Sequence, residues 1–360
     1  MPPTQSSLRG SLLSGASALA MSVSTSGAQA QNVTNTLSVA PPTTTVWVEG
    51  ALSLTDGGSF NVPSFPGLGA PYTSFNARNG FEGAVGFDYR WPNQPWHFVF
   101  DFRYGQSGTA TSNSASSSSS SSHSFQTSGF INSSVLKTTT IDKKTTNSAT
   151  AQALERERHI VADFMVGRDI GVGANAPQVQ FGFRIADLRA TGQAQGTMQS
   201  TSRTDTQRTF YSSSAFPSIV TTKSSTSAAS SSSFFARWNS RFFGVGPRIA
   251  VVGGVPIAGT WSFDYGAGIA GLFADRSLDL SVSTNPGALF QTKFSNNDFV
   301  FNADGSLAVS YKFTNNYKFS VGVRGDFYNA ALLTFNPANG GVVGTNRIYW
   351  GPFVRLTGTF

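Results

Sequence analysis

The stretch WHFVFDFRY (residues 96–104) decides how this chain is read. Trp96, Phe98, Phe100, Phe102 and Tyr104 fall on one face of an extended strand, and His97, Asp101 and Arg103 fall on the other. Side chains alternate between the faces of a strand. A face of five aromatics therefore needs an apolar partner on one side, while the charges need water or counter-ions on the other. A β-sandwich and a membrane β-barrel both meet that need, and the rest of the chain separates them.

Nine further segments alternate in the same way. Val46, Val48, Leu52 and Leu54 share one face, as do Phe81, Val85, Phe87 and Tyr89, with Glu49, Glu82, Asp88 and Arg90 opposite. Ile160, Ala162, Phe164 and Val166 oppose His159, Asp163 and Asp169, and Val179, Phe181, Phe183 and Ile185 oppose Gln180 and Arg184. Phe243, Val245, Ile249 and Val251 stand against Arg248, and Trp261, Phe263, Tyr265, Ile269 and Phe273 against Asp264. Two more strands set Phe299, Phe301, Leu307 and Val309 against Asp304, and Phe319, Val321 and Val323 against Lys318, Arg324 and Asp326. The last, GPFVRLTGTF (351–360), places Val354, Leu356 and Phe360 opposite Arg355.

The connections alternate strictly. Short turns are expected at 92–95, 171–177, 253–258 and 314–316, and long loops at 56–79, 106–156, 189–240, 276–297 and 329–346. Tyr89, Trp91, Trp96, Trp261, Tyr311, Tyr317 and Phe360 cluster at the short-turn ends. An apolar band edged by aromatics, with short turns at one end and long connections at the other, predicts a transmembrane antiparallel up-and-down β-barrel. About ten strands are expected, or twelve if 124–141 spans as a hairpin. The expected place is the outer membrane of a Gram-negative bacterium, with Phe360 in the periplasmic aromatic girdle.

Composition agrees. The 360 residues hold 31 Phe, 37 Gly and no Cys, and only 12% are charged. That excludes disulfides and thiolate metal sites, and the lack of a long apolar run excludes a membrane-spanning helix. The net charge of +7 is spread singly, without the basic stripe of a nucleic-acid binder. Residues 1–30 read as a secretory signal cleaved between Ala30 and Gln31, 31–42 as a short periplasmic segment, and 43–360 as the barrel. The run Ser116–Ser122 and the serines near 225–233 are expected to be flexible loop. Arg189, Arg203, Arg208, Lys223 and Arg237 stand near a single acid, Asp205, and could meet lipopolysaccharide phosphates.

The inward face carries the chemistry. Glu49, Glu82, Asp88, Asp101, Asp163, Asp264, Asp304 and Asp326 are expected to line the lumen with Arg90, Arg103, Arg184, Arg248, Lys318, Arg324 and Arg355. The signs nearly balance, so a network of ion pairs is expected. GAGIAG (266–271) matches a dinucleotide-binding glycine pattern, but no helix pattern follows it; Gly266 and Gly268 read as lumen glycines. His159 and Asp163 share a face that could hold an acid–base pair, yet no nucleophile is placed beside them. Neither an enzyme nor a cofactor is expected, and no metal site.

FGVGPRIAVV (243–252), with FGFRIADLRA (181–190), YWGPFVRLTGTF (349–360) and VWVEGALSLTDGG (46–58), resembles the Legionella-type major outer membrane protein family of pore-forming barrels. Gly244, Gly246, Pro247 and Arg248 are matching positions. The likeness would cover 43–360, and it implies a porin-like protein without naming a solute. A pore for small hydrophilic solutes or ions is the leading expectation. The alternative is a closed structural or adhesive barrel whose loops contact surfaces. Expected partners are outer-membrane lipid, lipopolysaccharide and, through the C-terminal strand, the barrel-assembly machinery.

Overall fold

The computed structural model describes residues 42–57, 60–61, 74–75, 79–129, 135–170, 177–212, 219–285, 287, 289–336 and 341–360. The expected signal segment with Ala30 and Gln31, and residues 31–41, lie outside the described residues. The described chain is built of strands: β1 (Thr43–Gly57), β2 (Phe60–Asn61), β3 (Ser74–Phe75), β4 (Gly80–Arg90), β5 (Trp96–Ser107), β6 (Ala110–Gly129) and β7 (Val135–Asp169). There follow β8 (Gln178–Ser212), β9 (Ile219–Ala258), β10 (Trp261–Asn285), β11 (Leu289–Lys312), β12 (Tyr317–Asn336) and β13 (Gly341–Thr359).

Ten of these form a closed antiparallel ring, β1-β4-β5-β7-β8-β9-β10-β11-β12-β13, with β13 returning to β1. At the seam Thr45 faces Thr359, and Thr44 and Phe360 exchange backbone hydrogen bonds of 2.9 and 2.8 Å. Closure leaves the ring without a free edge strand, which a sheet in lipid requires. β6 takes over from β5 along β7: Gln106 faces Arg158, and Ala110 faces Glu155. β2 and β3 form a separate small ladder.

Three of the long strands change their surroundings part-way along. On β8, Phe181 and Phe183 point outward, while Gln180 and Arg184 are buried inside. Past Ile185 the faces exchange roles: Ala186, Leu188 and Ala190 are buried within, and Asp187 and Arg189 are on the outer face. β9 and β10 repeat the exchange, burying Phe234, Ala236, Trp238 and Phe242 on one and Leu272, Ala274, Leu278 and Leu280 on the other. The lower barrel is apolar outside and polar inside, which suits lipid. Just above it, β8, β9 and β10 are polar outside and apolar inside, which suits water.

That exchange explains a difference from the sequence reading. The segments 106–156, 189–240 and 276–297, expected as loops, consist largely of paired strand: β7, β8 and β9 run for 35, 35 and 40 residues. Ser116–Ser122 of β6 pairs with Lys143–Ala149 of β7, and Ser225–Ser233 of β9 pairs with Thr197–Asp205 of β8. Backbone ladder bonds do not depend on side chains, so small polar residues extend a sheet that meets water. Residues 149–158 extend β7 upward. The turn expected at 253–258 falls later, at Gly259–Thr260, where Gly259 takes a φ of 55°.

Candidate functional site

The lumen is the candidate site, and it has three levels. At the short-turn mouth, Lys318 Nζ donates to Asp264 at 2.7 Å, as does Ser310 at 2.6 Å. His97 Nδ1 meets Asp88 at 2.7 Å, and Arg90 donates to Asp169 at 2.6 Å. Two cavities of about 240 and 250 Å³ lead inward from here, sharing Val252, Gly266, Ser306 and Arg355 in their walls.

The middle level is an ion-pair lattice that crosses the bore. Arg184, fully buried, donates to both carboxylate oxygens of Asp163 at 2.7 Å, to Asn302 at 2.6 Å and to Asp304 at 2.8 Å. Arg103 of β5 reaches Asp326 of β12, four strands away round the ring, at 2.6 and 3.1 Å. Arg248 binds Asp304 at 2.6 Å, and Gly268 leaves the room for this pair, since a Cβ there would press on both side chains. Arg324 joins Glu49 at 2.6 Å and also binds Glu82, while Arg355 holds Glu49 at 2.6 Å. Trp47 donates to Asp101 at 3.1 Å. The structure thus brings together inside the barrel all fifteen residues expected to line the lumen. Charges buried this deeply are tolerated only when paired and hydrogen-bonded.

The pair imagined between His159 and Asp163 does not form. His159 Nε2 meets Glu82 at 2.7 Å and its ring lies 4.2 Å from that of Tyr349, while Asp163 is taken by Arg184.

The third level packs apolar side chains in the upper part of the barrel, and the sequence reading missed it. β12 slips register between Tyr328 and Leu332, and Ala330 adopts a φ of 51°. The kink is held by Arg276, whose Nη1 donates to the Ala330 carbonyl, and by Asn346, which accepts from the Ala330 amide at 2.8 Å. As a result Ala331, Leu332, Leu333 and Thr334 are all buried in succession. Ala331 and Leu332 drop among Leu188, Phe242, Leu272, Tyr328 and Tyr349, each at most 3% exposed. Leu333 packs higher, against Trp238, Leu278 and Leu280. Residues 329–346 read as a loop because four buried residues in a row fit no period of two. The exchange of faces past Ile185 was the available signal for the remaining plug.

Between the lattice and the upper packing, Glu157 accepts from Arg347 at 2.9 Å and from Tyr349 at 3.3 Å. Glu155 beside it is 2% exposed, and neither carboxylate oxygen has a hydrogen-bond partner among the described residues. Burial, with the neighbouring Glu157 adding to it, pushes the Glu155 carboxyl up to about 8.

Several aromatic residues at the short-turn end pack in pairs. Tyr89 meets Trp91 at 5.7 Å between ring centres, Trp261 meets Tyr311 at 4.9 Å, and Tyr317 meets Phe360 at 6.2 Å. Trp96 packs edge-on against Phe181, under the Arg168 guanidinium.

No family model matches the chain, and no curated protein matches it. Among solved structures it is similar to the outer membrane protease OmpT from Escherichia coli, at 11% identity over 91% of this chain and 100% of that one, with a TM-score of 0.43. It is also similar to Neisserial surface protein A, at 9% identity over 87% and 95% of the two chains, TM-score 0.26. The TodX monoaromatic hydrocarbon channel, in a deletion mutant, matches at 8% identity over 89% and 91%, TM-score 0.24. Likenesses this distant carry no functional information.

Proposed function

We propose that this chain is an outer-membrane β-barrel with a sealed bore, which acts through the surface that its tall strand extension presents outside the cell. The membrane reading is supported by the exposed band of Val, Leu, Ile and Phe around the lower ring, from Val48 and Leu52 on β1 to Val354 and Leu356 on β13. The observation that carries the sealed reading is the kinked β12, which sets Leu332 among Phe242, Leu188 and Leu272 above a lattice of cross-bore ion pairs. Ten strands lie near the size at which side chains fill a barrel. The bore is shut twice, once by charge and once by apolar packing. Of the two expectations drawn from the sequence, the closed barrel fits this geometry better than the open porin.

Planar-bilayer recording on the refolded full-length chain tests the proposal. Sealed barrels leave the membrane silent. A large, weakly selective conductance from the wild-type chain would overturn it, and would favour the pore-forming family that the sequence resembles.

A further inference from the structure

The outward face of β7, β8 and β9 carries arginines in register. Arg158 lies directly opposite Arg189, and Arg189 lies directly opposite Arg241. Residues so placed have Cβ atoms about 4.5–5.5 Å apart, and like charges there repel. The level is also defined. Asp169, Gln178 and Val252 face one another near the short-turn end, and each arginine lies eleven residues further along its strand. At about 3.3 Å per residue and a tilt near 40° that is ~28 Å, the far edge of a ~25 Å apolar band. Ile160, Ile185 and Phe243, the next outward apolar side chains toward the short turns, mark that edge.

Little in the protein answers these charges. The Nε groups of Arg158 and Arg189 are buried and have no acceptor among the described residues. Asp187 binds Arg241 at 3.2 Å and is the one acid on this face of the three strands at this height, with Asp275 and Asp279 bordering it on β10. Directly above the row lies an outer groove of about 770 Å³, walled by Arg156, Thr191, Arg237, Asn239, Lys293 and one outward acid, Asp279. The cations thus continue upward beside amides and hydroxyls.

We propose that Arg158, Arg189 and Arg241 form a binding site for the phosphate groups of an outer-leaflet glycolipid, with the groove above taking its sugar. A phosphate bridging neighbouring guanidiniums removes their repulsion and accepts from their outward N–H groups. The acyl chains would then lie along the apolar face below. Arg203, Arg208 and Lys223, which the sequence also offered for lipopolysaccharide, lie more than ten residues further up the extension and stand outside the site. The inference rests on the membrane reading and is independent of whether the bore is sealed.

The test uses the full chain refolded in detergent, titrated with bis-phosphorylated lipid A, with dephosphorylated lipid A and with inorganic phosphate, binding being read by native mass spectrometry. The phosphorylated lipid should bind, and each arginine exchanged in Arg158→Gln, Arg189→Gln and Arg241→Gln should weaken it by about tenfold. Arg203→Gln should leave it unchanged. In lipid-free detergent the triple variant should melt close to wild type, because relief of the repulsion among the arginines offsets the loss of the exposed Arg241–Asp187 pair. Equal binding of dephosphorylated lipid A overturns the proposal, as does an unaffected triple variant. Binding of inorganic phosphate as tight as that of the lipid would make this a free-anion site and would likewise overturn it.

Discussion

Arg184 sits at the centre of the lumen lattice, linking β7, β8 and β11 through Asp163, Asn302 and Asp304. Removing one partner of a buried ion pair leaves an uncompensated charge, at a cost of about 3–5 kcal/mol. Arg184→Met should lower stability by that amount, measured as a shift in the urea midpoint of the heat-modifiable band. Arg184→Met with Asp163→Asn should recover part of the loss, and a single variant as stable as wild type would contradict this account. Glu155 acts in the opposite sense. Its folded carboxyl titrates near 8, above the ordinary value of 4.5, so the folded state keeps a proton that the unfolded chain releases. Its contribution is full below about pH 4.5 and is lost as pH rises toward 8. Glu155→Gln should flatten the decline in stability between pH 5 and pH 8, and an unchanged slope would show that Glu155 is ionised when folded.

At the scale of elements, β13 closes the ring. Its register carries it from Arg347 opposite Gly57 to Thr359 opposite Thr45, and Phe360 follows with its ring against Tyr317 and two thirds exposed. A charge at the membrane interface costs only about 0–1 kcal/mol, against ~2–4 kcal/mol for Arg or Lys at the midplane. Phe360→Asp should therefore refold in detergent almost as wild type does, yet be lost from outer-membrane fractions if the assembly machinery reads this residue. Comparing the heat-modifiable band in the two settings decides it; equal insertion in cells would remove that role. Glycine serves the same strand at a second point. A Cβ on Gly351 would collide with the Leu52 carbonyl oxygen, and one on Gly246 of β9 with that of Gly271. Each of these glycines precedes a proline, whose missing N–H interrupts the ladder, so the two Gly-Pro steps let neighbouring strands approach closely.

For the whole molecule, the two seals make a joint prediction about conduction. Arg248→Ser with Arg324→Ser removes lumen pairs to Asp304 and Glu49, but leaves Phe242, Leu272 and Leu332 in place. That double variant should stay silent in planar bilayers. Adding Phe242→Ala and Leu332→Ala should produce conductance favouring cations, because carboxylates then outnumber bases in the opened bore. Conductance from the double variant alone would show that the apolar level does not seal.

Much of this was legible in residues 96–104 and the nine segments like them. A period of two with aromatics on one face and charges on the other settles strand, face and surroundings together, because lipid accepts one pattern and excludes its inverse. The inward direction of Arg103, Arg184 and Asp326 followed from their apolar neighbours one residue away. Who pairs with whom did not follow, since Arg103 and Asp326 are separated by 223 residues and meet only because the ring curls. His159 chose Glu82 over Asp163 for the same reason. Serine-rich strands stayed hidden because ladder bonds leave no trace in side chains. The buried run from Ala331 to Thr334 depends on a register slip that no periodicity announces. Local alternation determined a membrane barrel; only closure in three dimensions, which sets the curvature and the cross-bore distances, decided which charged and apolar side chains meet inside it.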